Sequence, residues 1–215
     1  MAKSTKAKDE APSAIVVIEP PKFQRAVIRI VGTSPYVQNK FSQKAREQME
    51  AKQRAGSQAT KGRKREPKDF DAVYEGALHV SREGWYGIPA PAFRNAMISA
   101  CRVVGFRMTL AKLSVFIEAD GFDRDDGTPL VKIEGAPRPF HMTARNETGV
   151  ADVRVRPIWD DWSANVRVRW DADQFSATDI MNLLARAGMQ VGVGEGRPDS
   201  RNSNGLGWGL WEVAG

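Results

Sequence analysis

The sequence predicts an α+β fold whose core elements run in the order β-α-β-β-α-β, with a large basic insertion after the first strand. Three observations predict it. Short apolar or alternating runs of strand length lie at 26–31, 113–119, 165–170 and 206–213. Two segments of helical period, 92–104 and 176–187, carry their own start and stop signals. The stretch 35–83 between the first strand and the first core helix is more polar and more basic than the framework around it.

The elements follow in order. Residues 1–22 read as a flexible, polar N-terminal tail; its apolar run Ile15–Ile18 is too short for a signal-peptide core. Ala26–Val31 (AVIRIV) is the first strand, ended by Gly32–Pro35. In the insertion, Phe41–Arg54 has strong helix formers with few apolar positions, and Tyr74–Arg82 reads as a strand. Ala92–Val104 is a helix with Pro91 at its start, Phe93, Met97, Cys101 and Val104 on one face, and Gly105 at its end. Leu113–Ala119 and Leu130–Ile133 are strands, separated by the turn-rich GFDRDDGTP. Asp123, Asp125 and Asp126 in that turn miss the register of a calcium loop and read as solvated. Ser176 and Asp179 form a capping-box variant at the head of Ser176–Gly188, whose apolar face is Ile180, Met181, Leu183 and Leu184. Leu206–Val213 is the last strand.

Two alternating segments carry arginine. Val153–Arg156 reads VRVR and Val166–Trp170 reads VRVRW. Alternation sends Val153, Val155, Val166, Val168 and Trp170 to a core and Arg154, Arg156, Arg167 and Arg169 to the opposite face. If the two segments pair as a hairpin, one open sheet face holds four guanidiniums. Two readings stay open: an anion neutralises that face, or carboxylates from neighbouring strands do.

The chain has 215 residues, 41 % of them hydrophobic, a net charge of +6 and a pI of about 9.6. The basic excess is local: Lys52–Lys68 holds seven cations against Glu66 alone. Its small, polar middle predicts a flexible basic loop, with Lys61, Arg63, Lys64, Arg65 and Lys68 as candidate nucleic-acid contacts. A single cysteine, Cys101, excludes an intramolecular disulfide and a Cys-rich zinc site and fits a reducing cytoplasm. No run approaches the roughly 18 apolar residues of a membrane span. No cofactor and no metal are expected.

Val191–Trp208 reads VGVGEGRPDSRNSNGLGW, with glycines at 192, 194, 196, 205 and 207. Such clustering serves positive φ angles and close backbone approach, and freed amides can hold phosphate oxygens. Neither a Walker loop nor a dinucleotide fingerprint fits its spacing and context. Gly194, Gly196, Arg197 and Arg201 are therefore candidate contacts to a nucleic-acid backbone, or parts of a long turn packed against a helix.

Three segments together resemble the RAMP superfamily, the RRM-like RNA-binding proteins of CRISPR systems, and most of all the backbone subunits of their effector complexes. AVIRIVGTSPY is similar to the family's opening strand and turn. Ile88–Arg102 (IPAPAFRNAMISACR) resembles its loop into the first core helix, with Ala90 and Pro91 where the family prefers Gly and Ser. Gly192–Val213 is similar to its glycine-rich loop and last strand. The chain is short for such a subunit, which leaves room for a phage or mobile-element relative. The resemblance implies a single ferredoxin-like domain over 23–213, with the insertion 35–83 reaching along bound nucleic acid, and adds Arg94 to the candidate contacts.

The function expected is therefore non-enzymatic, sequence-independent binding of single-stranded RNA or DNA by a head-to-tail homo-oligomer in the cytoplasm. The alternatives are a metal-independent endoribonuclease of the same fold, with His141 in the connection PRPFHMTARN as its candidate acid or base, and a structural assembly protein.

Overall fold

The computed structural model describes residues 18–40, 47, 50, 69–145, 151–199 and 205–214. In chain order the elements are β1 (Phe23–Gly32), β2 (Tyr36–Val37), α1 (Phe70–Gly76), β3 (Gly87–Pro89), α2 (Ala90–Ala100), α3 (Met108–Ser114), β4 (Val115–Glu118) and β5 (Gly121–Phe122). They continue with β6 (Pro129–Glu134), β7 (Arg138–Arg145), β8 (Ala151–Trp159), β9 (Ser163–Asp171), α4 (Ala177–Arg186), a π-helical turn Ala187–Val191, and β10 (Trp211–Val213). This is an α+β fold with antiparallel sheets.

β9 organises the larger sheet. One of its edges pairs with the whole of β1, from Phe23 opposite Asp171 to Val31 opposite Ser163. The other edge pairs with β4 near its C-terminal end and β6 near its start. β10 lies on the far side of β1. The period of two explains the sidedness: Ala164, Val166, Val168 and Trp170 of β9 and Ile28 and Ile30 of β1 face inward and are buried. Phe93 and Met97 of α2 and Ile180, Leu183 and Leu184 of α4 cover that face. Trp211 packs edge-on against Phe93, ring centroids 5.5 Å apart, and stands 6.4 Å from Trp162. The smaller sheet, β2-β8-β7, joins the same core through Tyr36 and Trp159, 5.4 Å apart.

Local signals explain the well-placed helices. The Ser176 hydroxyl accepts from the Asp179 amide at 3.1 Å and the Asp179 carboxylate accepts from the Ser176 amide at 2.9 Å, closing the capping box. Pro91 sits in the first turn of α2, where its missing N–H costs nothing.

Several elements differ from the sequence reading. Residues 70–76 form a helix, not the start of a strand: Asp69 caps it by accepting from the Ala72 amide at 3.0 Å, and Val80 and Ser81 make only isolated bridges. Residues 108–114 are helical, so the strand begins at Val115; Met, Leu, Ala and Lys are strong helix formers, and Ala111 and Ser114 share a buried side. α2 starts at Ala90 and ends at Ala100, which leaves Val104 half exposed rather than in the core. The predicted arginine hairpin does not form. β8 pairs with β7 and β2 while β9 pairs with β1, β4 and β6, because Trp162 drives into the core between them and turns a corner: its indole N–H donates to the Ser34 carbonyl at 2.9 Å. Val155, Val166, Val168 and Trp170 are buried as expected, but Val153 is 44 % exposed. The basic loop 52–68 and Arg201 lie outside the described residues, as does nearly all of the predicted helix 41–54, of which Glu47 and Glu50 are described and helical. Among the described residues, no helix is long and apolar enough to cross a membrane.

The central role of Trp211 gives a first prediction. Trp211→Ala should cost about 3–5 kcal/mol of folding free energy in denaturant unfolding. Val27→Ala, on the solvent face of β1, should cost a small fraction of that. Equal destabilisation by the two would show that β10 is not locked to the core through this ring.

Candidate nucleic-acid interface

A polar groove of about 900 Å³ opens where the two sheets meet. Ala92, Asn95, Ala96 and Ser99 of α2 form one wall, Val191–Arg197 another, and Met142, Thr143 and Arg154 of the β7–β8 pair a third; Tyr36, Asn39 and His79 border it too.

The glycine-rich wall is built by backbone contacts. The Val193 amide donates to the Gly209 carbonyl at 3.0 Å, Glu195 to Val37 at 2.9 Å, and Gly209 to Pro35 at 2.8 Å. Gly194 has φ of +81°, and a Cβ there would stand 2.5 Å from the Val37 carbonyl oxygen; at Gly209 it would stand 1.8 Å from that of Val193. Only glycine allows both the dihedral and the approach. Gly196 is covered by the Trp208 ring. Both uses of clustered glycine are displayed: the φ angles of Gly192, Gly194, Gly196 and Gly209 are positive, and at Gly194 and Gly209 the backbone also approaches a carbonyl closely.

The predicted arginines separate into distinct environments. Arg154 borders the groove. Arg156 is nearly buried, its Nε donating to Glu195 at 2.7 Å, so it ties β8 to the glycine-rich wall. Arg197 also borders the groove and donates to the Gly194 carbonyl at 2.9 Å. Arg94 donates to the Val115 and Lys112 carbonyls and lies over the Phe116 ring, which fastens α2 to the α3–β4 junction. Arg167 lies 3.1 Å from Asp120, and Arg169 sits between the Phe23 and Phe116 rings, 4.9 Å from each centroid. On the same open face Arg25 meets Glu118 at 2.8 Å and Arg29 meets Glu134 at 2.8 Å. Among the described residues, carboxylates of β4, β6 and the β4–β5 turn meet Arg25, Arg29 and Arg167 on this face, while Arg154 and Arg156 lie on the other sheet. His141 is on β7 opposite Val155 rather than in a connection, exposed, with its ring 6.1 Å from Phe70; it does not border the groove.

A buried ionic cluster lies beside the groove, at residues the sequence does not single out as a site. The Lys40 ammonium reaches both Asp123 oxygens at 2.7 and 2.9 Å and Asp125 at 2.7 Å. Asp123 is fully buried, contrary to the expected solvated turn, and also accepts from the Asp125 amide at 2.9 Å. His79 Nδ1 is 2.8 Å from Asp123 Oδ2. Gln38, also buried, accepts from the His79 amide at 2.7 Å and donates to the Gly87 carbonyl at 2.8 Å. Burial alone pushes the Asp123 carboxyl up; bonds from Lys40, the Asp125 amide and His79 outweigh it and hold the group below its ordinary value. Burial pushes the His79 imidazole below its ordinary value, against the pull of Asp123. Candidate ligand atoms of His79, Asp123 and Asp126 lie within 4.8 Å of one another, but Lys40 already supplies Asp123 with its cation, and no metal is assigned. Positions 40, 79 and 123 share no local pattern, so no one-dimensional signal marks the cluster.

No protein-family model and no curated protein matches the chain.

The cluster predicts two outcomes. Lys40→Met should cost about 3–5 kcal/mol, because it strands a buried carboxylate, and adding Asp123→Asn should recover part of that stability in the same denaturation assay. A His79 pKa below its unfolded value stabilises the fold fully only above the unfolded value, and that contribution disappears as pH falls through it toward the folded value. The melting temperature should therefore begin to drop below about pH 6.5, and His79→Gln should blunt that drop. Identical acid profiles for the two proteins would contradict it.

Proposed function

We propose that the protein binds single-stranded nucleic acid, RNA or DNA, without reading its sequence, and does so as a repeating subunit of a head-to-tail assembly. The observation that carries this reading is the polar groove, bordered by Arg154 and Arg197 and by a glycine-rich backbone. The described chain leaves the groove rim at Asn39–Lys40, where the sequence leads into the cation-rich stretch 52–68. A groove with cations on its walls and a basic segment joined to its edge suits a phosphate backbone, whose contacts position a strand without identifying its bases. The strand path then runs through the groove rather than across the self-paired sheet face.

The reading includes a ferredoxin-like core of the RAMP kind. Supporting it, β1, α2, β4, β9, α4 and β10 follow one another in the β-α-β-β-α-β order, and their strands neighbour one another as β10-β1-β9-β4, all antiparallel. The insertion would then follow the first strand.

Binding of an oligothymidylate, followed by anisotropy over a range of salt, tests the reading. Removing one cation that neutralises a phosphate should lower the salt slope of log K by about 0.7. Arg154→Gln should flatten the slope by that amount, and Gln in place of Lys61, Arg63, Lys64, Arg65 and Lys68 should flatten it further. Arg167→Gln should leave the slope unchanged. A slope that responds to Arg167 and not to Arg154 would move the strand back to the open sheet face.

A further inference from the structure

Among the groove's bordering groups, His79 is the one whose charge can change near neutral pH. We propose, resting on the binding reading above, that His79 is a phosphate contact in the groove and that the bound strand places a proton on its Nε2.

The geometry assigns the two ring nitrogens different tasks. Nδ1 faces the Asp123 carboxylate at 2.8 Å. That carboxylate is fixed by both bonds from Lys40 and by the Asp125 amide, so it stays ionised and in place. An ionised acceptor beside Nδ1 makes Nδ1 the proton-bearing nitrogen of the neutral ring. Nε2 is then a lone pair. The ring borders the groove with its side chain 11 % exposed, and Nε2 is the nitrogen left for a ligand. A phosphate oxygen repels a lone pair but accepts a hydrogen bond from N–H, so contact requires the proton.

The surroundings set the direction of the linkage. Towards His79 from below stand Asp123 with Lys40, and nearby Asp125 and Asp126. From the groove walls come Arg154 and Arg197, and Glu195 and Asp199, which are held by Arg156 and Arg102. α2 contributes uncharged Asn95 and Ser99. In the free protein, burial lowers the ring's affinity for a proton. A phosphate at Nε2 adds negative charge on the groove side of the ring, so binding takes up a proton and tightens as pH falls.

The test uses the full chain and an oligothymidylate of about 20 nucleotides, long enough to cover one binding site. At constant ionic strength the dissociation constant should fall by about three- to tenfold between about pH 8 and about pH 5.5. His79→Asn, whose amide nitrogen takes the place of Nδ1 and keeps a donor for Asp123, should bind like the native protein at the upper pH and show no such gain; His141→Gln should keep it. The chain has two histidines, so imidazole NMR of the native protein reads the same event without a substitution. The His79 pKa should rise on binding while that of His141 stays fixed. Equal His79 titrations with and without oligonucleotide, or a pH gain that survives His79→Asn, would overturn the proposal. Inorganic phosphate that produces the full His79 shift by itself would also overturn it, by making the contact one for the free anion. Absence of binding at the upper pH, where His79 is neutral, would instead refute the binding reading on which it rests.

Discussion

The groove exists because a glycine-rich backbone is clamped between two sheets. Pro35 and Val37, either side of β2's start, accept from Gly209 and Glu195, and Gly209 in turn accepts from Val193. These bonds run through positions where any side chain would collide with a carbonyl, at Gly194 and Gly209. The clamp sets the smaller sheet against the larger one and leaves α2 as the opposite wall. Trp211, two residues beyond Gly209, anchors the same segment to the hydrophobic core. A substitution that opens the clamp removes the wall of the groove before it disturbs the sheet.

Charge placement separates the two surfaces on which an anionic strand could lie. The open face of the larger sheet is rich in arginine, yet Glu118, Glu134 and Asp120 pair with Arg25, Arg29 and Arg167, and Arg169 is held between two phenyl rings. An incoming phosphate there competes with contacts already formed. In the groove, Glu195 is held by Arg156 and Asp199 by Arg102, and Arg154 and Arg197 border the same space. The same residue types therefore do different work, and partner geometry decides which.

Much of the framework is legible in the sequence because it rests on local rules. The alternation of Val166–Trp170, the Ser176–Asp179 cap, Pro91 in the first turn of α2 and the glycine cluster each encode a backbone preference within a few residues. What escapes the sequence is non-local. Nothing in VRVR and VRVRW tells that the intervening Trp162 is a core residue that sends β8 and β9 to different sheets. Residues 70–76 carry apolar spacings that suit helix or strand, and the cap at Asp69 decides. The Lys40–Asp123–His79 cluster joins three distant positions, so in one dimension Asp123 reads as one acid of a wet turn.

The central claim is that a single strand lies in the groove and not on the open sheet face. Zero-length photocrosslinking of the protein to a uniformly halogenated single strand, with the adducts mapped by mass spectrometry, tests it most directly. The account predicts adducts on peptides that carry Met142 and the Gly192–Arg197 segment, together with the basic stretch 52–68. Adducts concentrated at Phe23 and Phe116, with the groove peptides unmodified, would contradict it.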